Sequence, residues 1–302
     1  MGKIAFVFAG QGAQYTGMGK ELYENFNAAR AVFDLAETIR EGTMQQCFEA
    51  SKEILSKTIN TQPCLYCVDL AAAEVLRSEG IIPSAVAGFS LGEIAALTFA
   101  GTFLPQDGFA FVCKRAQAMH AAASEVDSAM IAVLNLDNEA VERTAKKYDN
   151  VYPVNYNCPG QLVVSGLQAS IDLFKKEIQS LGGRVMSLAV SGGFHSPFMD
   201  EAARQLESII PNCDLSVPKI PVYANISGMP YGNDTARNVI EQINHPVQWH
   251  KTILEMNNNG VDTFIEVGPG KVLSNLIKRI TPDAKTFQVQ DKQTLEQTLN
   301  NI

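Results

Sequence analysis

Short apolar runs that end in glycine or serine recur along the chain, separated by stretches with helical periodicity. The first is KIAFVFAG at 3–10, the second is SAVAGFS at 84–90, and a later one is DTFIEVG at 262–268. A continuous apolar run of this length predicts a strand that is buried on both faces. Strands that alternate with helical stretches pair in parallel through crossover helices. The sequence therefore predicts an α/β fold built on a parallel sheet.

Residues 128–190 follow a different order of elements. The pattern predicts a strand (AMIAVLN), a helix (NEAVERTAKKY), two strands (VYPVNYN and QLVVSG), a helix (ASIDLFKKEIQSLG) and a strand (RVMSLAV). This β-α-β-β-α-β order is that of a ferredoxin-like unit. We therefore expect a large α/β domain of residues 1–127 and 191–302 and a small ferredoxin-like subdomain of residues 128–190.

The composition excludes several classes of protein. Of the 302 residues, 46% are hydrophobic and 19% are charged, which excludes a mainly disordered chain. The net charge of −8 comes without a concentrated basic run, which argues against nucleic acid as a partner. The apolar run near the start, at 4–9, is far shorter than the roughly 20 residues that span a bilayer, and no secretory leader is expected. We expect a cytoplasmic protein with no membrane segment.

The chain has six cysteines, too few for a disulfide scaffold of this length, which favours a reducing compartment. One pair, Cys64 and Cys67, has the spacing of a metal or redox motif. It lies in an apolar helical stretch with no second pair and no histidine nearby. We expect these two residues to be small core residues, and we expect no metal site.

A G-x-S-x-G pattern, GFSLG at 88–92, stands where the second predicted strand meets a helix. A sharp turn at this point exposes the serine, and the flanking glycines let neighbouring backbone approach closely. The free N–H groups at the start of the helix can stabilise an oxyanion. Ser90 is therefore a candidate nucleophile, although the bare pattern also occurs in plain turns.

A serine nucleophile needs a general base, and the chain has four histidines. His120 lies in an alanine-rich helix, and His245 and His250 lie in a stretch that fits a structural role. His195 follows Gly-Gly and directly precedes the helix start SPFMDE, where Ser196 can cap the helix. A side chain held before a rigid helix start is a suitable general base, so His195 is the preferred candidate.

Arg115 lies one helical turn before Met119, in KRAQAM. It is either an ordinary surface arginine or a bidentate clamp for a substrate carboxylate. Two further glycine clusters, GQG at 10–12 and GPG at 268–270, match neither a dinucleotide fingerprint nor a Walker loop. Tight turns that bring backbone N–H groups near a site explain them as well as a phosphate cradle does.

Seven motifs together resemble one family. They are FAGQGAQYTGMG (8–19), GFSLGEIAAL (88–97), KRAQAM (114–119), NYNCPGQ (155–161), GGFHSPFM (192–199), NHPVQW (244–249) and EVGPGKVLSNLIKRI (266–280). Their order and content resemble the malonyl-CoA:acyl carrier protein transacylases of bacterial type II fatty-acid synthesis over nearly the whole chain. The resemblance implies a hydrolase-like α/β domain with a ferredoxin-like insert, in agreement with the predicted elements.

The resemblance also implies roles for individual residues. Ser90 would carry the malonyl group as an ester, and His195 would be the base. The backbone N–H groups of Gln11 and Leu91 would form the oxyanion hole. The backbone carbonyl of Gln248 would orient the histidine. No cofactor or metal is implied, because a thioester is already activated.

Selectivity would rest on two further positions. Arg115 would pair with the free carboxylate of malonate, and Phe194 resembles the residue of malonyl-selective members. The chain departs from the family at Phe89, where G-H-S-x-G has histidine. Since that histidine is not the general base, we expect the chemistry to survive and any hydrogen bond made there to be lost.

The implied partners are malonyl-CoA and the phosphopantetheine form of acyl carrier protein, and a monomer is expected. Because carrier proteins are acidic, Lys271, Lys278 or Arg279 is expected to contribute to docking. One alternative is an acyltransferase of a polyketide pathway. A serine esterase or thioesterase fits less well, because residues 19–80 read as helical where such hydrolases place strands. A non-catalytic carrier-binding module would have no need for all four of Ser90, His195, Arg115 and Gln11.

Overall fold

The computed structural model describes residues 2–190 and 192–302 and contains two separate sheets. The larger has five strands in the order β7-β2-β1-β8-β9, and every pairing in it is parallel. The smaller has four strands in the order β4-β5-β3-β6, all antiparallel. The strands are β1 (Lys3–Phe8), β2 (Ala85–Gly88), β3 (Ser128–Leu134), β4 (Val151–Cys158), β5 (Gln161–Leu167), β6 (Arg184–Ser187), β7 (Val222–Tyr223), β8 (Val261–Val267) and β9 (Lys285–Val289).

Helices cover both faces of the parallel sheet and one face of the small sheet. They are α1 (Lys20–Asn25), α2 (Asn27–Ile39), α3 (Thr43–Glu49), α4 (Lys52–Leu55), α5 (Thr58–Ser78), α6 (Leu91–Phe99), α7 (Pro105–Glu125), α8 (Asn138–Ala145), α9 (Gln168–Ser180), α10 (Asp200–Ile209), α11 (Thr235–Glu241), α12 (Trp249–Asn258), α13 (Val272–Ile280) and α14 (Lys292–Leu299). The predicted helical stretch between the first two strands is therefore confirmed as α1 to α5. In the described part of the chain, no helix is both long and apolar enough to cross a membrane.

The carboxyl ends of the three central strands lie side by side. Phe8 at the end of β1 pairs with Gly88 of β2 and with Val267 of β8. The loops that follow these strands contain the GQG, GFSLG and GPG motifs and therefore meet at one edge of the sheet. In open parallel sheets, ligands bind at this edge.

The small sheet is built from the predicted β-α-β-β-α-β order, here β3-α8-β4-β5-α9-β6. Its strand order is that of a ferredoxin-like unit, and it has a hydrophobic core of its own that includes Val133, Val164 and Phe174. The prediction of a parallel α/β sheet with a ferredoxin-like insert is confirmed. The boundaries at 127/128 and 190/191 stay a proposal.

The small sheet is attached to the large one beside the site. The Val247 N–H donates to the carbonyl of Val154 at 2.8 Å, and the Tyr156 N–H donates to the carbonyl of Val247 at 2.9 Å. These bonds join β4 to the segment that precedes α12. The small sheet therefore forms one wall of the cleft above the carboxyl edge of the parallel sheet.

Two predictions about local structure have different outcomes. The run PVYANI forms only the two-residue strand β7, because it lies at the sheet edge, starts after a proline and is bridged through Tyr223 to Pro230. Cys64 and Cys67 are both fully buried in α5, which confirms them as core residues.

Candidate active site

Ser90 occupies a strained turn between β2 and α6. Its backbone has φ 54° and ψ −104°, a combination that few non-glycine residues adopt. A Cβ on Gly88 would lie 1.9 Å from the carbonyl carbon of Gly92, and a Cβ on Gly92 would lie 2.3 Å from the carbonyl oxygen of Phe8. Both glycines are therefore required, because α6 starts in direct contact with β1 and β2.

Two side chains hold this turn from behind. The Ser90 N–H donates to Oδ1 of Asn225 at 2.7 Å, and Nδ2 of Asn225 donates to the carbonyl of Gly88 at 2.6 Å. Nε2 of Gln242 donates to the carbonyl of Ser90 at 2.8 Å. Neither residue is predictable from the sequence, because nothing in the local pattern shows that these two segments meet the serine.

His195 lies next to Ser90. Its Nε2 is 2.8 Å from Oγ of Ser90, and its Nδ1 is 2.8 Å from the backbone carbonyl of Gln242. A carbonyl only accepts, so Nδ1 carries the hydrogen and the lone pair of Nε2 faces the serine hydroxyl. Burial, together with the nearby charge of Arg115, lowers the pKa of His195 to about 4. The imidazole is therefore neutral at physiological pH and ready to accept a proton.

The carbonyl that orients His195 is that of Gln242, which corrects the expectation of Gln248. Gln242 is the residue after the last turn of α11, where backbone carbonyls are left without a helical partner. Gln248 caps the start of α12, and its carbonyl accepts from the N–H and the hydroxyl of Thr252 at 2.9 and 3.0 Å. Gln242 lies two residues before the motif NHPVQW and Gln248 lies within it. They differ in that Gln242 ends a helix and Gln248 starts one.

Arg115 is fully buried beside Ser90, so it is not a surface arginine. Its Nη1 donates to Oε1 of Gln62 at 2.6 Å, and its Nη2 donates to Oε1 of Gln242 at 2.7 Å and to Oγ of Ser90 at 3.1 Å. Burial lowers its pKa to about 10, so it remains a cation at neutral pH. Its buried Nε has no hydrogen-bond partner in the described residues. The guanidinium therefore keeps one donor that no group in the described residues accepts.

A cavity of 70 Å³ opens above the serine hydroxyl. The backbone N–H groups of Gln11 and Leu91, both lining residues, donate to no other group in residues 2–190 and 192–302. The structure thus brings together five of the six expected site residues. The lining residues are Gln11, Gln62, Phe89, Ser90, Leu91, Arg115, Met119, Met130, Asn155, Leu188, Val190, Phe194 and His195.

A wider cavity of 250 Å³ adjoins the first and shares Gln11, Phe89 and Asn155 with it. It lies between the GQG loop, the small sheet and α13. The buried side-chain oxygens of Asn155 and Asn157 have no hydrogen-bond partner in the described part of the chain. Two unpaired amide oxygens are therefore buried within residues that line the wider cavity.

Phe89 stands between the two cavities. Its ring packs on that of Trp249, with centroids 5.5 Å apart and planes at 59°. The buried indole nitrogen of Trp249 has no acceptor among the described residues. At the position where the sequence resemblance implies histidine, Phe89 therefore makes an aromatic contact with Trp249 in the cavity wall.

Comparison with known proteins identifies the family. Residues 5–294 match the acyl transferase domain family. A malonyl CoA-acyl carrier protein transacylase of Bacillus subtilis (strain 168) is 39% identical over 310 residues, covering 100% of this chain and 98% of the relative. The protein of that name from Staphylococcus aureus (strain MRSA252) is 37% identical and covers 96% of each chain.

Solved structures agree with this result. The malonyl CoA-acyl carrier protein transacylase of Clostridium perfringens superposes with a TM-score of 0.95 at 35% identity, covering 99% of this chain and 96% of that one. A malonyl-transacylase solved with its type II polyketide acyl carrier protein has a TM-score of 0.95 at 31% identity, covering 99% and 100%. The chain therefore belongs to the family of malonyl CoA-acyl carrier protein transacylases.

Proposed function

We propose that the protein transfers malonyl groups from malonyl-CoA to the pantetheine thiol of acyl carrier protein and so supplies fatty-acid synthesis. The observation that carries this proposal is the set of groups around the 70 Å³ cavity. A serine hydroxyl contacts a neutral histidine, and a buried arginine with an unused Nε–H donor lies beside them. A small acyl group with a free carboxylate matches this arrangement.

In the first half-reaction, His195 accepts the proton of the Ser90 hydroxyl at Nε2 while Oγ attacks the thioester carbon. The N–H groups of Gln11 and Leu91 would donate to the resulting oxyanion, and one such donor is typically worth about 10²–10³ in kcat. When the intermediate collapses, the carbon–sulfur bond breaks. The CoA sulfur then takes the proton from Nε2, which leaves a malonyl ester on Ser90.

The second half-reaction reverses these steps with a different thiol. The pantetheine thiol of the carrier protein gives its proton to Nε2 of His195, and its sulfur attacks the ester carbon. The carbon–oxygen bond breaks and Ser90 recovers the proton. Both donors present the same pantetheine arm, and its amide N–H groups would pair with the side-chain oxygens of Asn155 and Asn157, two residues that line the wider cavity and whose oxygens have no partner among the described residues.

Arg115 would hold the free carboxylate of the malonyl group through a charge-assisted hydrogen bond. This fixes the acyl group above Ser90 and favours malonyl over acetyl. The carboxylate clamp also serves transfer rather than hydrolysis, because it holds the ester in one pose while a thiol approaches.

The proposal also includes the surface where acyl carrier protein docks, the cellular compartment and the oligomeric state. Arg279 donates to Oε1 of Gln161 at 2.7 Å and to the carbonyl of Pro159 at 3.0 Å, so it lies beside the wall of the wider cavity. This position supports carrier docking at Lys271, Lys278 or Arg279.

The six unpaired thiols support a reducing, cytoplasmic setting. A monomer stays a prediction that light scattering would test.

Intact-protein mass spectrometry tests the function directly. The protein is incubated briefly with malonyl-CoA, or with acetyl-CoA for comparison, and holo acyl carrier protein is then added. We expect a malonyl adduct that is absent from Ser90→Ala and that moves to the carrier. An adduct that decays equally fast without the carrier would indicate a hydrolase, and no adduct would indicate a non-catalytic binding module.

The polyketide alternative is favoured by one observation, the structural neighbour solved with a polyketide carrier. It shares the chemistry and differs only in the acceptor. Equal amounts of a fatty-acid carrier and a polyketide carrier in one reaction would distinguish the two. Preferential loading of the polyketide carrier would contradict the fatty-acid assignment.

A further inference from the structure

Glu93 is a fully buried acid three residues after the nucleophile, in the first turn of α6. Three donors surround its carboxylate. The Tyr231 hydroxyl donates to Oε1, the Asn225 N–H donates to Oε2 at 2.9 Å, and Nε2 of Gln242 lies 3.3 Å from Oε2. Burying an ionised carboxylate costs free energy, and these three hydrogen bonds offset part of that cost. The presence of Glu93 at this position therefore calls for an explanation.

Two of these partners also hold the reactive groups. Asn225 accepts from the N–H of Ser90, and Gln242 donates to the carbonyl of the same residue. Oε1 of Gln242 accepts from Arg115 at 2.7 Å. The carboxylate of Glu93 is thus separated by one residue, Asn225 or Gln242, from both backbone groups of Ser90 and from the buried guanidinium.

Arg115 is the cation whose charge acts on Glu93. Burial raises the pKa of Glu93 to about 7, and the hydrogen bonds and the charge of Arg115 oppose that rise. Of the other elements packed against α6, the segment after β7 places Tyr231 next to Glu93. His195 is connected to Glu93 only through its hydrogen bonds to Ser90 and Gln242. Within the described residues, α5, β1 and β2 contribute no ionisable group to the hydrogen bonds of Glu93.

We propose that Glu93 is a positioning and selectivity-determining residue: it fixes Ser90 and Arg115 through Asn225 and Gln242, and it takes up a proton when a malonyl carboxylate pairs with Arg115. This inference rests on the proposed function. A malonyl carboxylate paired with Arg115 and the Glu93 carboxylate on the far side of Gln242 disfavour each other's charge. The proton comes from solvent and binds Oε1, because the Tyr231 hydroxyl can rotate and become the acceptor.

The proposal predicts that the preference for malonyl depends on pH. Below the pKa of Glu93 the acid is already protonated, and malonyl binds without a further cost. As pH rises through about 7, malonyl binding requires proton uptake and weakens, whereas acetyl has no carboxylate and is unaffected. If malonyl raises the pKa of Glu93 by about one unit, the malonyl-to-acetyl ratio falls about tenfold.

The experiment measures kcat/KM for loading of Ser90 from malonyl-CoA and from acetyl-CoA between pH 6 and pH 9, by rapid quench and intact mass. The ratio of the two removes the ionisation of CoA and of His195, which both donors share. We expect a ratio that falls with pH in the native protein and stays flat in Glu93→Gln. Glu74→Gln, a control at a partly buried acid that pairs with Arg77 instead of Arg115, should keep the native profile.

Tyr231→Phe provides a second test that leaves Glu93 in place. The Tyr231 hydroxyl lowers the pKa of Glu93, so its removal should move the midpoint of the falling ratio to higher pH. If Glu93→Gln fails to fold, an unshifted midpoint in Tyr231→Phe would overturn the proposal. A flat ratio in the native protein, or a native profile in Glu93→Gln, would also overturn it. A native protein that forms no adduct at any pH would instead overturn the proposed function.

Discussion

Arg115 is the residue proposed to set acyl selectivity. It is buried, charged and bonded to two glutamines, it contacts Ser90 through Nη2, and its Nε is unpaired among the described residues. Its environment could not be inferred from KRAQAM alone, because the two glutamines that hold it come from α5 and from the end of α11.

Replacing Arg115 by alanine should reduce malonyl loading about 100-fold, since a charge-assisted bond to the malonyl carboxylate is lost. Acetyl loading should fall far less, because acetyl has no such partner. Single-turnover rates with both donors measure this difference. Equal losses for the two acyl groups would contradict the carboxylate clamp.

His195 should keep the enzyme active at unusually low pH. Its pKa of about 4 leaves the imidazole neutral in about nine-tenths of molecules one unit above that value. The kcat/KM for acetyl-CoA should therefore change less than about twofold between pH 5 and pH 7. A half-loss near pH 6.5, the ordinary histidine pKa, would show that burial does not lower the pKa.

At the scale of elements, the contact between β2 and α6 depends on two glycines without space for a side chain. Gly92→Ala should lower the free energy of unfolding by at least about 2 kcal/mol, because its Cβ would lie 2.3 Å from the backbone oxygen of Phe8. Urea unfolding measures the effect. Gly232→Ala is the matched control, since a Cβ there meets nothing within 4 Å, and a change within about 0.5 kcal/mol is expected.

Most elements were predictable from local patterns. Buried strands, amphipathic helices and the β-α-β-β-α-β order leave clear periodic signals, and GFSLG pointed to Ser90 as the candidate nucleophile. The partners of the site were not predictable in this way. Gln242 and Asn225 act through backbone groups or through contacts between distant segments, and Gln248 differs from Gln242 only in whether it starts or ends a helix.

At the scale of the whole molecule, the site lies where two sheets meet, and the proposed docking surface for the carrier protein lies at α13. Lys271→Glu and Lys278→Glu should raise the KM for acyl carrier protein several-fold, because the carrier is acidic and steering depends on local charge. Loading from malonyl-CoA should change little.

Lys176→Glu, on α9 of the small sheet, is the matched control and should leave both half-reactions unchanged. Steady-state transfer at varied carrier concentration measures the effect, which should weaken as salt increases. An unchanged KM in both α13 variants would exclude this docking surface.

Trp249 gives the molecule a built-in optical probe. It is the only tryptophan in the chain, and its ring lies against Phe89, the neighbour of Ser90. An acyl group entering the small cavity, or a thiol arm in the wider one, changes the polarity and packing around that ring pair. The emission of this single indole should then follow each half-reaction in a stopped-flow instrument without a label, with Phe89→His as the variant that alters the signal at its source.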